Sequence, residues 1–184
     1  MDAFSVDLTQ DDKDQLKRIV REAIAAGLDG DMGWLPPERA APRLRHNFGA
    51  FVTLNLDGML RGCIGHLTAD APLWRTIAEM ARAAAFQDPR FEPVDRSEAV
   101  RLEVEISVLG PITPCPDPEL VEIGRHGLLV ARGGKQGLLL PQVPVEWGWN
   151  RRTFLEQTCR KAGIAPDAWT KPDTRLFWFE AAVF

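Results

Sequence analysis

FGAFVTLNLDGMLRGCIGHL, residues 48–67, decides how the chain is read. Phe51, Thr53 and Asn55 alternate with Val52, Leu54 and Leu56, the period-2 pattern of a strand with one apolar face. Asp57-Gly58 supplies the positive φ of a two-residue hairpin turn. The pattern predicts a strand over 50–56, a turn, and a second strand over 59–65. A β-hairpin joined this tightly belongs to an antiparallel or mixed sheet.

Working outward, the segments on both sides alternate between helix and hairpin. Upstream, Thr9 and Asp12 resemble an N-cap with an acidic first turn. Leu16, Ile19, Val20, Ala23, Ile24 and Leu28 then recur at helical spacing, with a break expected near Gly27. Residues 29–47 hold Gly, Pro and Arg without periodicity and read as a connecting loop anchored by Trp34, Leu35 and Leu44. Downstream, Asp70 to Pro72 should cap and open a helix whose apolar face is Leu73, Ile77, Met80, Ala81, Ala84 and Ala85. After the turn DPRFEPV, residues 101–109 alternate as a strand, with Leu102, Val104, Ile106 and Val108 toward the core and Glu103, Glu105 and Ser107 away from it. Residues 110–118 carry four prolines and read as extended loop. HGLLVARGGKQGLLLPQV reads as a second hairpin turning at Gly133-Gly134. Asn150 caps a helix that stops at Gly163, and RLFWFEAAVF is a closing strand. Hairpins with flanking helices and no βαβ rhythm give an α+β fold with a mixed or antiparallel sheet.

Bulk properties narrow the function. The chain has 184 residues, a formal charge of −4 and 45% hydrophobic residues, which fits an ordinary globular protein and excludes disordered, collagen-like and coiled-coil readings. The acidic balance argues against nucleic acid as a partner. No run reaches the ~20 apolar residues of a membrane span, and the polar, acidic N-terminus does not read as a secretory signal. Cys63, Cys115 and Cys159 are odd in number and far apart, with no CxxC spacing. That places the expectation in a reducing cytoplasm and against a cysteine metal site. The three histidines form no metal motif, so no metal site is expected.

Candidate chemistry gathers at the hexapeptide LRGCIG. Cys63 sits among glycines, and Gly62 and Gly65 leave the backbone around its thiol open to a ligand. Arg61 and His66 flank it, and neighbouring cations favour a thiolate. A Cys63–His66 pair is possible only if the strand ends or bulges, because the two side chains otherwise take opposite faces. Glu103 and Glu105 share a strand face and are candidates for acid–base work. If their strand were adjacent, Arg61 would meet one of them bidentately. Trp147 and Trp149 could stack a planar ligand. Asp88 is expected to lock its turn by pairing with Arg90. His126 reads as a turn histidine. The basic clusters Arg39, Arg43, Arg45 and Arg151, Arg152, Arg160, Lys161 read as solvated faces.

LRGCIG resembles the signature of the AMMECR-type domain family. AAFQDPRFEPV, EVEISVLGP, GLLLPQV and the later GW, FL, KAG and AW blocks follow in the family's order, from about residue 45 to the C-terminus. The resemblance implies one AMMECR-type domain over 1–184, an α+β fold of two subdomains around one cleft, with the hexapeptide beside it. Where the family usually has an acidic residue after the Gly-Trp pair, this chain has Asn150 followed by two arginines. The resemblance further implies a Memo-type (dioxygenase-like) partner and a radical S-adenosylmethionine partner. It defines no cofactor and no reaction. The expected function is an enzyme or enzyme component binding a small metabolite beside Arg61 and Cys63, with Glu103 and Glu105 as further catalytic candidates. Gly62, Gly65, His66 and Trp147 are the expected ligand contacts. The alternatives are a non-catalytic protein-docking module and, more weakly, nucleic-acid binding.

Overall fold

A computed structural model describes residues 6–36, 40–68 and 70–184. Arg39, one of the expected surface cations, lies outside them. The chain divides into two compact units, Asp7–Leu109 with Ala182–Phe184, and Gly110–Ala181. Each is a helix-backed antiparallel sheet, so the α+β expectation holds.

In the first unit, α1 (Gln10–Leu28) starts on a capping box: the Thr9 side chain accepts from the Asp12 N–H, and Asp12 answers the Thr9 N–H. Its stripe of Leu16, Ile19, Val20, Ala23 and Ile24 is buried against α2 (Leu73–Phe86). The helix ends at Leu28, next to the expected break at Gly27, where the Phe86 ring fills the space a side chain would need. Pro72, not Asp70, is the N-cap of α2, and no side chain caps it. The Leu73 N–H finds the His46 carbonyl instead.

Strands β1 (Ala50–Leu56) and β2 (Met59–His66) form the predicted hairpin, with Asp57 at φ 53° and Gly58 at φ 77°. Helix α3 (Arg96–Ala99) and strand β3 (Glu103–Leu109) follow. The sheet order is β2-β1-β3-β8, where β8 is Ala181–Val183. Val52, Leu54, Ile106 and Val108 lie fully buried on one face, over which α2 packs. As expected, Glu103 is exposed and Leu102 is buried; Glu105 is only half-buried.

In the second unit β4 (Thr113–Pro114), β5 (Gly127–Arg132), β6 (Lys135–Leu139) and β7 (Arg175–Phe179) are ordered β4-β7-β5-β6. The short helix α4 (Gln142–Glu146) precedes α5 (Arg151–Lys161), which Asn150 caps through the Thr153 N–H. Phe154, Leu155 and Cys159 of α5 fill the core with Leu128 and Val130. Two expectations change here. The proline-rich loop contains a strand, because Thr113 and Pro114 pair with Trp178 and Phe177. The closing strand is two strands, divided at Glu180, one in each sheet.

Candidate functional site

The register of the first sheet decides what surrounds Cys63. Leu54 pairs with Gly62 but Asn55 pairs with Leu60, so Arg61 is the extra residue of a β-bulge. Below the bulge the alternation is regular. Cys63 pairs with Thr53, which pairs in turn with Glu105, so these three form a row on the face opposite α2. Thr53 Oγ1 donates to Cys63 Sγ at 3.3 Å.

Strand β2 is an edge strand, and Cys63 turns its own N–H and C=O outward from the sheet. The DPRF turn closes on both. Asp88 Oδ2 accepts the Cys63 N–H at 2.9 Å, and Arg90 Nη2 donates to the Cys63 carbonyl at 3.3 Å. Arg90 grips Asp88 through Nε (2.9 Å), Nη2 (2.6 Å) and its backbone N–H (3.1 Å). The Asp88 side chain is only 2% exposed. Arg90's hydrogen bonds, with the Cys63 N–H added, hold its carboxyl far below the usual carboxylate range despite burial. The Arg90 guanidinium is correspondingly raised, chiefly by Asp88 and with a smaller electrostatic contribution from Cys63. A carboxylate this sheltered would be costly unpaired, so the clamp is a coupled unit.

Arg61 takes a different partner from the one expected. Strand β1 lies between β2 and β3, so Arg61 does not meet Glu103 or Glu105. Its Nε and Nη2 donate to the two carboxylate oxygens of Glu98 at 2.9 and 2.8 Å, with both side chains largely buried. The fork hydrogen bonds lower the Glu98 carboxyl and raise the Arg61 guanidinium. Arg61 Nη1 is buried without a hydrogen-bond partner. The Phe91 ring lies under both guanidinium groups, 5.9 Å from Arg61 Cζ and 5.3 Å from Arg90 Cζ. Arg90 is thus the cation bonded to Cys63, and Arg61 is engaged by helix α3.

One other expectation is corrected. The glycines do not open the backbone. A methyl group on Gly62 would strike the Ala84 carbonyl of α2, and one on Gly65 would strike the Phe51 ring. Both glycines are required by close packing. As expected for a strand without a bulge after Gly62, His66 ends β2 on the face opposite Cys63, and no Cys63–His66 pair forms. Trp147 belongs to the second unit, 70% exposed and stacked on Trp149 at 6.1 Å across the left-handed turn at Gly148.

The remaining candidates have partners within the fold. His126 Nδ1 accepts the Glu122 N–H at 3.0 Å and its ring packs on Trp178; burial pushes its pKa down. Arg43 pairs with Asp7, Arg151 with Glu119 and Arg152 with Glu156. Among the described residues no group of three or more His, Cys, Asp or Glu could hold a metal ion, and no helix is long and apolar enough to cross a membrane.

Sequence reasoning missed Glu98. The signal was present as Asp95-Arg96-Ser97-Glu98, a capping box in which Asp95 accepts the Ser97 and Glu98 N–H groups and Glu98 answers the Asp95 N–H.

Comparison with known proteins finds relatives over most of the chain. A Methanothermobacter thermautotrophicus protein is 42% identical over 183 residues, covering 96% of this chain and 95% of its own. A Thermococcus gammatolerans protein is 44% identical over 179 residues, covering 92% of this chain and 87% of its own. The crystal structure of the uncharacterized protein PH0010 from Pyrococcus horikoshii superposes with a TM-score of 0.87 at 42% identity, over 91% of this chain and 88% of that one. The AMMECR1 family profile matches residues 17–184, and the chain is a member of the AMMECR1 family.

Proposed function

We propose that the chain is an enzyme or enzyme component that binds a small polar metabolite on the face of the first sheet that carries Cys63, Thr53 and Glu105. The observation that carries this reading is the clamp on Cys63. Both of its outward backbone groups are held by the Asp88–Arg90 pair, whose carboxylate is buried, while Cys63 itself is half-buried and its thiol accepts the Thr53 hydroxyl. Sites that must present one side chain accurately are built this way, with a supporting shell that fixes the presenting residue. Arg90 adds a cation beside the thiol, and the half-buried Glu105 lies two strands away in the same row. The partners in this reading are the Memo-type and radical S-adenosylmethionine proteins of the family resemblance. Three free cysteines fit a reducing cytoplasm as the setting.

A test begins with limiting iodoacetamide at pH 7 and mass-spectrometric readout. Cys63 should be labelled faster than Cys159, which is fully buried with its thiol pushed up by burial. Cys63→Ser should keep its melting temperature and lose metabolite or partner binding. An inert Cys63, together with a Cys63→Ser variant that only melts earlier, would return the hexapeptide to a packing role.

A second reading, a protein-docking module, is favoured by a different observation. Met59, Leu60 and Val100 are 71%, 43% and 80% exposed. An Arg101–Asp57 ion pair of 2.9 Å ties the Val100 segment to the hairpin turn next to Met59. Met59→Ser with Leu60→Ser should abolish partner binding under this reading and leave metabolite binding untouched.

A further inference from the structure

We infer that the first unit carries a second binding site, distinct from the Cys63 face, for a single-chain amphiphile with an anionic head. The site is a groove of about 320 Å³ between the C-terminal half of α1, helix α3 and the start of β3. That volume lies at the lower end of the range for small-molecule sites, about 300–1,000 Å³. Its floor is apolar and firm, with Ile24 and Leu102 each 4% exposed, and Val100 forms a lip.

Charge decides the kind of occupant. Among the described residues, three charged side chains line the groove: Arg21, Asp29 and Arg96. Asp29 and Arg96 neutralise each other through a 2.6 Å ion pair, and Arg96 also donates to the Leu28 carbonyl. Arg21 has neither a hydrogen bond nor an ion pair among the described residues, so one guanidinium stands uncompensated at an otherwise apolar groove. An apolar body with a single negative head satisfies both features. A neutral hydrocarbon leaves Arg21 unused, and a small hydrophilic anion leaves the floor exposed.

The wall formed by α3 is suited to admitting such a molecule. None of its four residues is buried. Three ion pairs hold the segment: Arg96–Asp29, Arg61–Glu98 and Arg101–Asp57, of which only Arg61–Glu98 is sheltered from solvent. A wall fixed mainly by exposed charge pairs yields at low cost, since such pairs are individually weak.

The experiment is a calorimetric titration of the full chain with decanoate, kept below its micelle concentration, and with decanol. Saturable one-to-one binding of decanoate is expected, with decanol weaker. Arg21→Gln should weaken decanoate about threefold to fivefold and bring the two ligands level. Ala25→Trp, at an exposed helical position on the groove wall, should abolish binding while the melting temperature holds. The inference is overturned by no saturable binding, by decanol binding as tightly as decanoate, or by Ala25→Trp binding normally. It is also overturned if sedimentation shows a dimer that Ala25→Trp dissociates, because a second copy would then be the occupant.

Discussion

The two hairpins of this protein are built alike and finished differently. Both turn through consecutive left-handed residues, Asp57-Gly58 in one and Gly133-Gly134 in the other. Both place a glycine of the edge strand against a helix backbone, Gly62 against Ala84 of α2 and Gly137 against Ala162 at the end of α5. Among the described residues only the hexapeptide hairpin adds a bulge, a fork-bonded Arg61 and, along its outer edge, a buried carboxylate paired with a half-exposed arginine. Among the described residues no acid–base pair closes on β6; Lys135 Nζ donates to the Gly163 carbonyl at 2.9 Å instead. A hairpin therefore folds here without a clamp. What surrounds Cys63 exceeds the needs of strand packing, and this difference supports a functional role for the hexapeptide.

The largest effect should come from removing the clamp. Asp88→Ala removes the buried acceptor of four hydrogen bonds, one of them from the Cys63 N–H, and should cost about 3–4 kcal/mol in chemical denaturation. The pH dependence follows from the same group. Its folded pKa is depressed, so its contribution is complete above the ordinary carboxylate pKa of about 4 and is lost as pH falls below that toward the folded value. Wild type should lose stability over that acid range more steeply than Asp88→Asn; parallel curves would remove the carboxylate from the account. Next, Gly62→Ala and Gly137→Ala should each cost about 3 kcal/mol, because each methyl group meets backbone that cannot move aside. A harmless Gly137→Ala beside a severe Gly62→Ala would mean that the two hairpins differ in packing as well as in finish. Glu98→Gln replaces a charged fork partner and should cost about 1–3 kcal/mol. It should also raise the protease sensitivity of residues 95–101, and no change in either would detach α3 from β2. Arg101→Ala, which breaks an exposed pair with Asp57, should change stability by less than about 1 kcal/mol.

Features governed by local periodicity were legible before the structure. The hairpin at 50–66, the stripe of α1 and the Asn150 cap follow from spacing within one element. Features that depend on strand order were not. Arg61 and Glu98 are 37 positions apart, and their meeting requires β1 to lie inside the sheet and the chain to cross the hairpin end as α3. With four residues and no buried side chain, α3 leaves no hydrophobic pattern to find. The glycines of the hexapeptide were misread because their absent side chains look identical in sequence whether the space is open or filled. Asp88 was legible as a partner of Arg90, but its bond to Cys63 came only with the fold.

The divided tail has a consequence for how the protein is made. Strand β7 lies inside its sheet between β4 and β5, although it follows both in the chain. During synthesis at about 5–20 residues per second, β5 and β6 can close as a hairpin while β4 has no neighbour. Residues 181–183 reach the other sheet later still. Until residues 175–183 emerge from the ribosome, one sheet lacks an interior strand and the other stands with β3 as an open edge. Both sheets are therefore exposed to wrong pairing over the same interval, and both are completed by one short stretch of chain.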